Sequence, residues 1–112
     1  MDAVREILKV MHTDEQFVMW LQGLSPKTKV GNPRLAENCP ELRFLRALGI
    51  NVLLVGVHEI TTLDHERIQC RWIEEFHKNL LAKFFPEESR LREVTAQQCL
   101  SVLRPDEPSP TA

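Results

Sequence analysis

A chain of 112 residues, 43% hydrophobic and 27% charged, is sized and composed for one globular domain with a real core, which excludes wholesale disorder. A formal net charge of -2 and a pI of about 6.1 exclude a global field that would draw it to nucleic acid or an anionic membrane. The longest apolar run, Val52–Val57, falls far short of the ~20 residues that a membrane-spanning helix requires.

Val4, Ile7, Leu8 and Met11 fall at helical spacing and predict a first amphipathic helix. Thr13 followed by Gln16 three residues later predicts a capping box, with a second helix starting near Asp14, burying Phe17, Val18 and Leu21, and ending at a left-handed Gly23. Leu24–Asn38 is a 15-residue connection with two prolines and one glycine, long enough to be functional or partly structured; Thr28–Val30 suits a short edge strand. Pro40 at a first helical position makes Cys39 the cap of a third helix, lined by Leu42, Phe44, Leu45 and Leu48 and closed by Gly49.

The segment "INVLLVGV" follows, rich in β-branched residues and apolar at both alternating sets, which predicts a strand covered on both faces. Ile60–Leu63 offers a short return strand. Asp64 is then expected to cap the longest helix, Asp64–Phe85, with Ile68, Trp72, Ile73, Phe76, Leu80 and Phe84 near one face and Pro86 as its stop. Thr95 with Gln98 predicts a second capping box, leading a last helix lined by Ala96, Cys99, Leu100 and Leu103. The tail, residues 105–112, has three prolines and no apolar anchor and is expected to be disordered, leaving residues 1–104 as a single globular domain. The expected fold is α+β, about five helices packed on a small two- or three-stranded sheet centred on residues 51–57. So few neighbours for a doubly covered strand suggest that a second copy completes the sheet, as a homodimer.

Three widely spaced cysteines, Cys39, Cys70 and Cys99, form no disulfide framework, and no apolar run near the N-terminus reads as a signal peptide; a reducing, cytoplasmic setting is expected. Cys39 at a helix N-terminus is a candidate thiolate nucleophile. His58 at the far end of the strand could act as its base, oriented by Glu59 or Asp64. Against this stands the habit of free cysteine to pack as a small buried group, the reading adopted here. "HEITTLDHE" offers His58, His65 and Glu66 as metal-ligand candidates. The histidines are seven residues apart, unlike His-Glu-x-x-His, so neither metal nor cofactor is expected.

Lys27, Lys29, Arg34, Arg43 and Arg46 are the best candidates for binding an anion or a partner, diluted by Glu37 and Glu41. They admit a nucleic-acid-binding regulator using the basic 27–46 region. The low pI, and two acids opening the second helix of a would-be helix-turn-helix, speak against it. No glycine-rich phosphate loop, Gly-x-Ser-x-Gly or Cys-x-x-Cys occurs. The leading expectation is a non-enzymatic protein-interaction module (adaptor, inhibitor or regulatory subunit) whose partner is another protein. The alternative is a small thiol- or metal-dependent enzyme centred on Cys39, His58 and His65.

Overall fold

The computed structural model describes residues 3–84 and 93–106. Along them run α1 (Ala3–Met11), α2 (Glu15–Gln22), β1 (Lys29–Gly31), α3 (Pro40–Ala47), β2 (Val52–Val55), β3 (Glu59–Thr62), β4 (Arg67–Gln69), α4 (Arg71–Phe84), β5 (Val94–Thr95) and α5 (Ala96–Leu103). The fold is α+β, as expected, but with two antiparallel sheets in place of one: β2-β3-β4, and β1 paired with β5. Pro86 and residues 107–112 of the tail lie outside the described residues.

Local signals correspond to local structure. Cys39 is the extended N-cap of α3, with Pro40 in its first turn, and Gly49 follows the helix at φ +81°, the left-handed conformation glycine adopts without strain. The box at Thr95 forms in full: the Gln98 N–H donates to Thr95 Oγ1 (3.2 Å) and the Thr95 N–H to Gln98 Oε1 (2.9 Å). The box expected at Thr13 does not form. Asp14 is the N-cap of α2 but makes no side-chain cap bond, because both its oxygens accept from Arg104 at the end of α5, at 2.7 and 2.9 Å. Gly23 stays in the right-handed region at φ -79°.

The strands depart further from expectation. β2 is an edge strand, not an internal one, and Leu53 is 40% exposed. A register shift between Val52 and Leu54 accounts for the misleading pattern: a bulge inserts one residue, so Val52 and Val55, three apart, both turn inward. The predicted helix from Asp64 begins only at Arg71. Ile68, at helical spacing from Trp72, belongs instead to β4, where it pairs with Ile60. Asp64 is no cap; it lies exposed in the β3–β4 turn, where His65 takes φ +65° and the His65 N–H donates to the Thr62 carbonyl (2.9 Å). β1 runs one residue later than the expected Thr28–Val30 and finds its partner in β5, more than sixty residues away.

The main core joins three helices around Phe17, whose ring lies 5.5 Å from Phe44, Trp72 and Phe76 in turn. β2, at the edge of its sheet, is thus not the doubly covered strand from which a second copy was inferred, and Phe17 of α2 packs against Trp72 and Phe76 of α4 within the chain.

The long connection between α2 and α3 is ordered by its own hydrogen bonds. The Asn32 N–H donates to the Asn38 carbonyl (2.9 Å), closing a loop within which Leu35 N–H reaches Asn32 O and Asn38 N–H reaches Leu35 O, both at 3.0 Å. Asn32 Oδ1 accepts from the Arg34 N–H at 2.9 Å, an Asx turn. Gly31 closes the arrangement at φ +123°. A Cβ there would sit 2.5 Å from Asn38 O and 3.0 Å from the Cys39 carbonyl carbon, both backbone atoms that cannot swing aside. Gly31→Ala is accordingly expected to destabilise the protein by about 2 kcal/mol or more, lowering the melting temperature by roughly 8 °C. Gly49→Ala, with nothing within 4 Å of its Cβ, carries only the left-handed penalty of about 1 kcal/mol. Parallel thermal melts check the order; equal losses would show that the Gly31 contact is relieved by backbone movement.

Candidate functional site

Glu41 occupies the first turn of α3, where unpaired backbone N–H groups and the helix dipole favour a carboxylate. Such residues normally face water. Here the closed loop before α3 presses its N-terminus into the protein, and Glu41 is 0% exposed. Its partner comes from α4. His77 follows Ile73 by four residues and precedes Leu80 by three, so it falls on the buried stripe of that helix. His77 Nε2 and Glu41 Oε2 are 2.5 Å apart, and Glu41 Oε1 is buried with no hydrogen-bond partner among the described residues.

Burial by itself pushes the pKa of His77 down, because it penalises the charged ring. The Glu41 carboxylate, through its charge and its hydrogen bond, more than reverses this and holds His77 above its ordinary value. The same carboxylate charge reaches all three cysteines. Desolvation, then Glu41, push the Cys39 and Cys99 thiols far up; Cys70 is pushed up to about 11 by desolvation and, more weakly, by Glu41, against a lowering contact from the Ile73 backbone. A buried carboxylate hydrogen-bonded to a buried histidine, its charge raising the pKa of three free thiols, is the most unusual chemistry of the described core.

His77 also lines a groove of about 480 Å³. One wall is the ordered loop at Pro33, Arg34 and Ala36, a second is the β2–β3 hairpin at Val55, Gly56 and Val57, and the third is α4 at Glu74, Lys78 and Leu81. The loop wall is tied to the sheet by the Val55 N–H, which donates to the Ala36 carbonyl at 2.9 Å. A second hollow, of about 510 Å³, lies between α1 and α4. There Met11 O accepts from both Trp72 Nε1 (3.0 Å) and the Cys70 thiol (3.4 Å).

The candidates read from the sequence are dispersed. Cys39 is fully buried, His58 and Asp64 are exposed on the three-stranded sheet's loops, and no hydrogen bond joins them. His65 and Glu66 are exposed in the β3–β4 turn, and no group of three or more His, Cys, Asp or Glu among the described residues is placed to hold a metal. Lys27, Lys29 and Arg46 are exposed. Arg43 is engaged internally, with Asn38 Oδ1 (2.9 Å), the Lys29 carbonyl (3.4 Å) and Glu93 Oε1 (2.8 Å). Of the five basic candidates, Arg34 alone lines the groove.

The sequence reading missed Glu41, seen only as a dilution of positive charge, and His77 altogether. For His77 a signal existed: one polar residue set within an apolar helical stripe. For Glu41 there was none, because an acid in a first turn is ordinary.

Removing either partner strands a buried polar group, so Glu41→Ala and His77→Ala are each expected to cost about 3–5 kcal/mol. The double variant Glu41→Met/His77→Leu should recover most of that loss. A folded-state pKa above the unfolded value of about 6.5 means the pair's stabilisation is complete below that pH. It is lost as pH rises through the folded pKa. Urea midpoints between pH 6 and 9 should therefore fall with pH in the wild type, and the slope should flatten in the double variant. Thiol labelling of the native protein at neutral pH should be slow throughout, with Cys70 first; rapid labelling of Cys39 would restore it as a nucleophile. No protein-family model, curated protein or solved structure matches this chain.

Proposed function

We propose that the protein is a small non-catalytic interaction module, an adaptor, inhibitor or regulatory subunit, that receives a segment of a partner protein in the groove beside His77. The observation that carries this reading is the composition of the groove. Its walls are largely apolar side chains, its volume suits one or two side chains of a ligand, and no Ser, Thr or Cys among the described residues lines it. Val57, on its hairpin wall, is 64% exposed, an apolar surface that a partner would cover. A reducing, cytoplasmic setting fits three buried cysteines that are all free.

A second reading has one specific observation in its favour. A histidine held by a buried carboxylate at the wall of a groove has the base-and-orienter geometry of an acid–base enzyme. With no Ser, Thr or Cys among the described residues of the lining, such an enzyme would act on water or on a substrate proton. The thiol- or metal-dependent version based on Cys39, His58 and His65 has no comparable geometry, and nucleic-acid binding by the 27–46 region is weakened by the engagement of Arg43 with Glu93.

The test is differential capture. Immobilised wild-type protein is expected to retain a partner that Val57→Glu, a change at an exposed site, releases. Capture by both alike would place the interface elsewhere. Light scattering at twice 13.0 kDa that Val57→Glu returns to one would identify the partner as a second copy.

A further inference from the structure

We infer that the contact between Glu41 and His77 is a proton-operated latch on one wall of the groove: with the ring protonated it holds residues 32–41 closed against α4, and loss of that proton releases them. The latch acts on the wall and not on the occupant, so it stands apart from the interaction-module reading.

Three observations carry it. First, the carboxylate of Glu41 is sealed and has a single polar partner. Glu41 is 0% exposed, its Oε2 meets His77 Nε2, and its Oε1 has no hydrogen-bond partner among the described residues. A charge in that position is tolerated only while a counter-charge stands beside it. Histidine is the side chain whose charge ordinarily changes near neutral pH, so this counter-charge can be withdrawn while the Lys, Arg and carboxylate charges stay as they are. Nothing nearby replaces it. The other groups within reach of the Glu41 charge are the thiols of Cys39 at the cap of α3, Cys70 ahead of α4 and Cys99 on α5, none of which can carry positive charge. Along the groove stand Arg34 on the loop and Glu74 and Lys78 on α4, with no charge on the hairpin wall, and none of them bonds the Glu41 carboxylate.

Second, the segment that carries Glu41 is built to move as a unit. Its loop is closed by its own hydrogen bonds, Asn32 N–H to Asn38 O and the two through Leu35. One backbone bond, from Val55 N–H to Ala36 O, ties that loop to β2. Its outer residues, Arg34, Leu35 and Glu37, are exposed. Beyond Glu41 the helix is anchored by the buried Leu42, Phe44 and Leu45, so an opening confined to the loop and the first turn leaves the aromatic core in place. Third, Pro33, Arg34 and Ala36 of this segment form the loop wall of the groove, and His77 lines the same groove. Release of the segment brings Glu41 to water and moves that wall.

The direction follows from the same contact. Burial disfavours a charged ring, but the charge and hydrogen bond of Glu41 more than offset this, so the closed form keeps the His77 proton to higher pH than an exposed imidazole, which loses it near about 6.5. The latch is therefore fully closed below that value and weakens as pH rises toward the pKa of the closed form. Between the two values opening releases one proton, and the open fraction grows by up to about tenfold per pH unit.

The experiment follows amide hydrogen exchange of the full chain by NMR between about pH 6 and 9, each rate divided by the intrinsic rate at that pH, alongside the titration of the His77 ring. The reporters are Val55 N–H, bonded to Ala36 O, and Arg43 N–H, bonded to Cys39 O; Leu80 of α4 and Leu100 of α5 are the references. Protection of the reporters is expected to fall by up to about tenfold per pH unit above about 6.5 and to level off where His77 titrates, while the references change less. In Glu41→Met/His77→Leu the fall should disappear. Reporters and references falling in parallel would show that the pair acts only on global stability and would overturn the latch, as would reporters that stay flat. A fall that persists in the double variant, or that in the wild type continues beyond the His77 titration, would assign the release to another group and overturn it equally.

Discussion

The burial of one carboxylate governs this structure. A charge withdrawn from water costs several kcal/mol unless a partner and hydrogen bonds compensate it, and Glu41 meets that requirement with a single residue, His77 of α4. The pair therefore fixes α3 against α4 at one point, and everything that positions the start of α3 becomes part of the same constraint. The closed Asn32–Asn38 loop delivers that start, Gly31 lets the loop close onto the backbone at Asn38 and Cys39, and Arg43 bolts the helix to β1 and to Glu93 beside β5. Since β5 runs straight into α5, whose Arg104 holds Asp14 of α2, the chain of constraints passes through nearly every element.

The two small sheets are better understood as positioning devices than as a core. Strands of two to four residues bury little and pair over short lengths. The aromatic cluster of Phe17, Phe44, Trp72 and Phe76 supplies the large apolar contacts, from three helices. What β2 and β3 contribute is the hairpin that forms one wall of the groove, and what β1 contributes is the anchoring of the loop that forms another.

The legible parts of this fold were those whose cause is local. Pro40 and Cys39 at a helix start, Gly49 at its end, and the reciprocal box of Thr95 and Gln98 are written within a few residues, and each is found where the sequence places it. Where a distant group competes, local signals fail: Asp14 has the chemistry of a cap, but Arg104, ninety residues away, takes its carboxylate. β4 was hidden because Ile68, Trp72 and Ile73 are spaced as a helix would space them, although the chain changes from strand to helix between the first and the second. The pairing of β1 with a two-residue strand had no signal to find. Burial of Glu41 likewise arises from how the loop lies on the core, so its identity as the centre of the site could not be read from its neighbours.

Stability alone does not account for the Glu41–His77 pair. Apolar side chains of similar volume fill such positions at no net cost and often with a gain, and Oε1 of Glu41 carries the further penalty of about 1–3 kcal/mol for a buried acceptor left without a partner. The pair is also asymmetric. Glu41 is sealed inside, among thiols that its charge helps keep neutral, while His77 reaches the wall of an open groove. A device built only to join two helices has no need for one of its members to line a groove. Nε2 of His77 meets the carboxylate of Glu41, so the orientation of the imidazole is determined by a group that solvent cannot reach. The pair at the groove wall, rather than the exposed His58 and His65, is therefore where buried ionisable groups meet among the described residues.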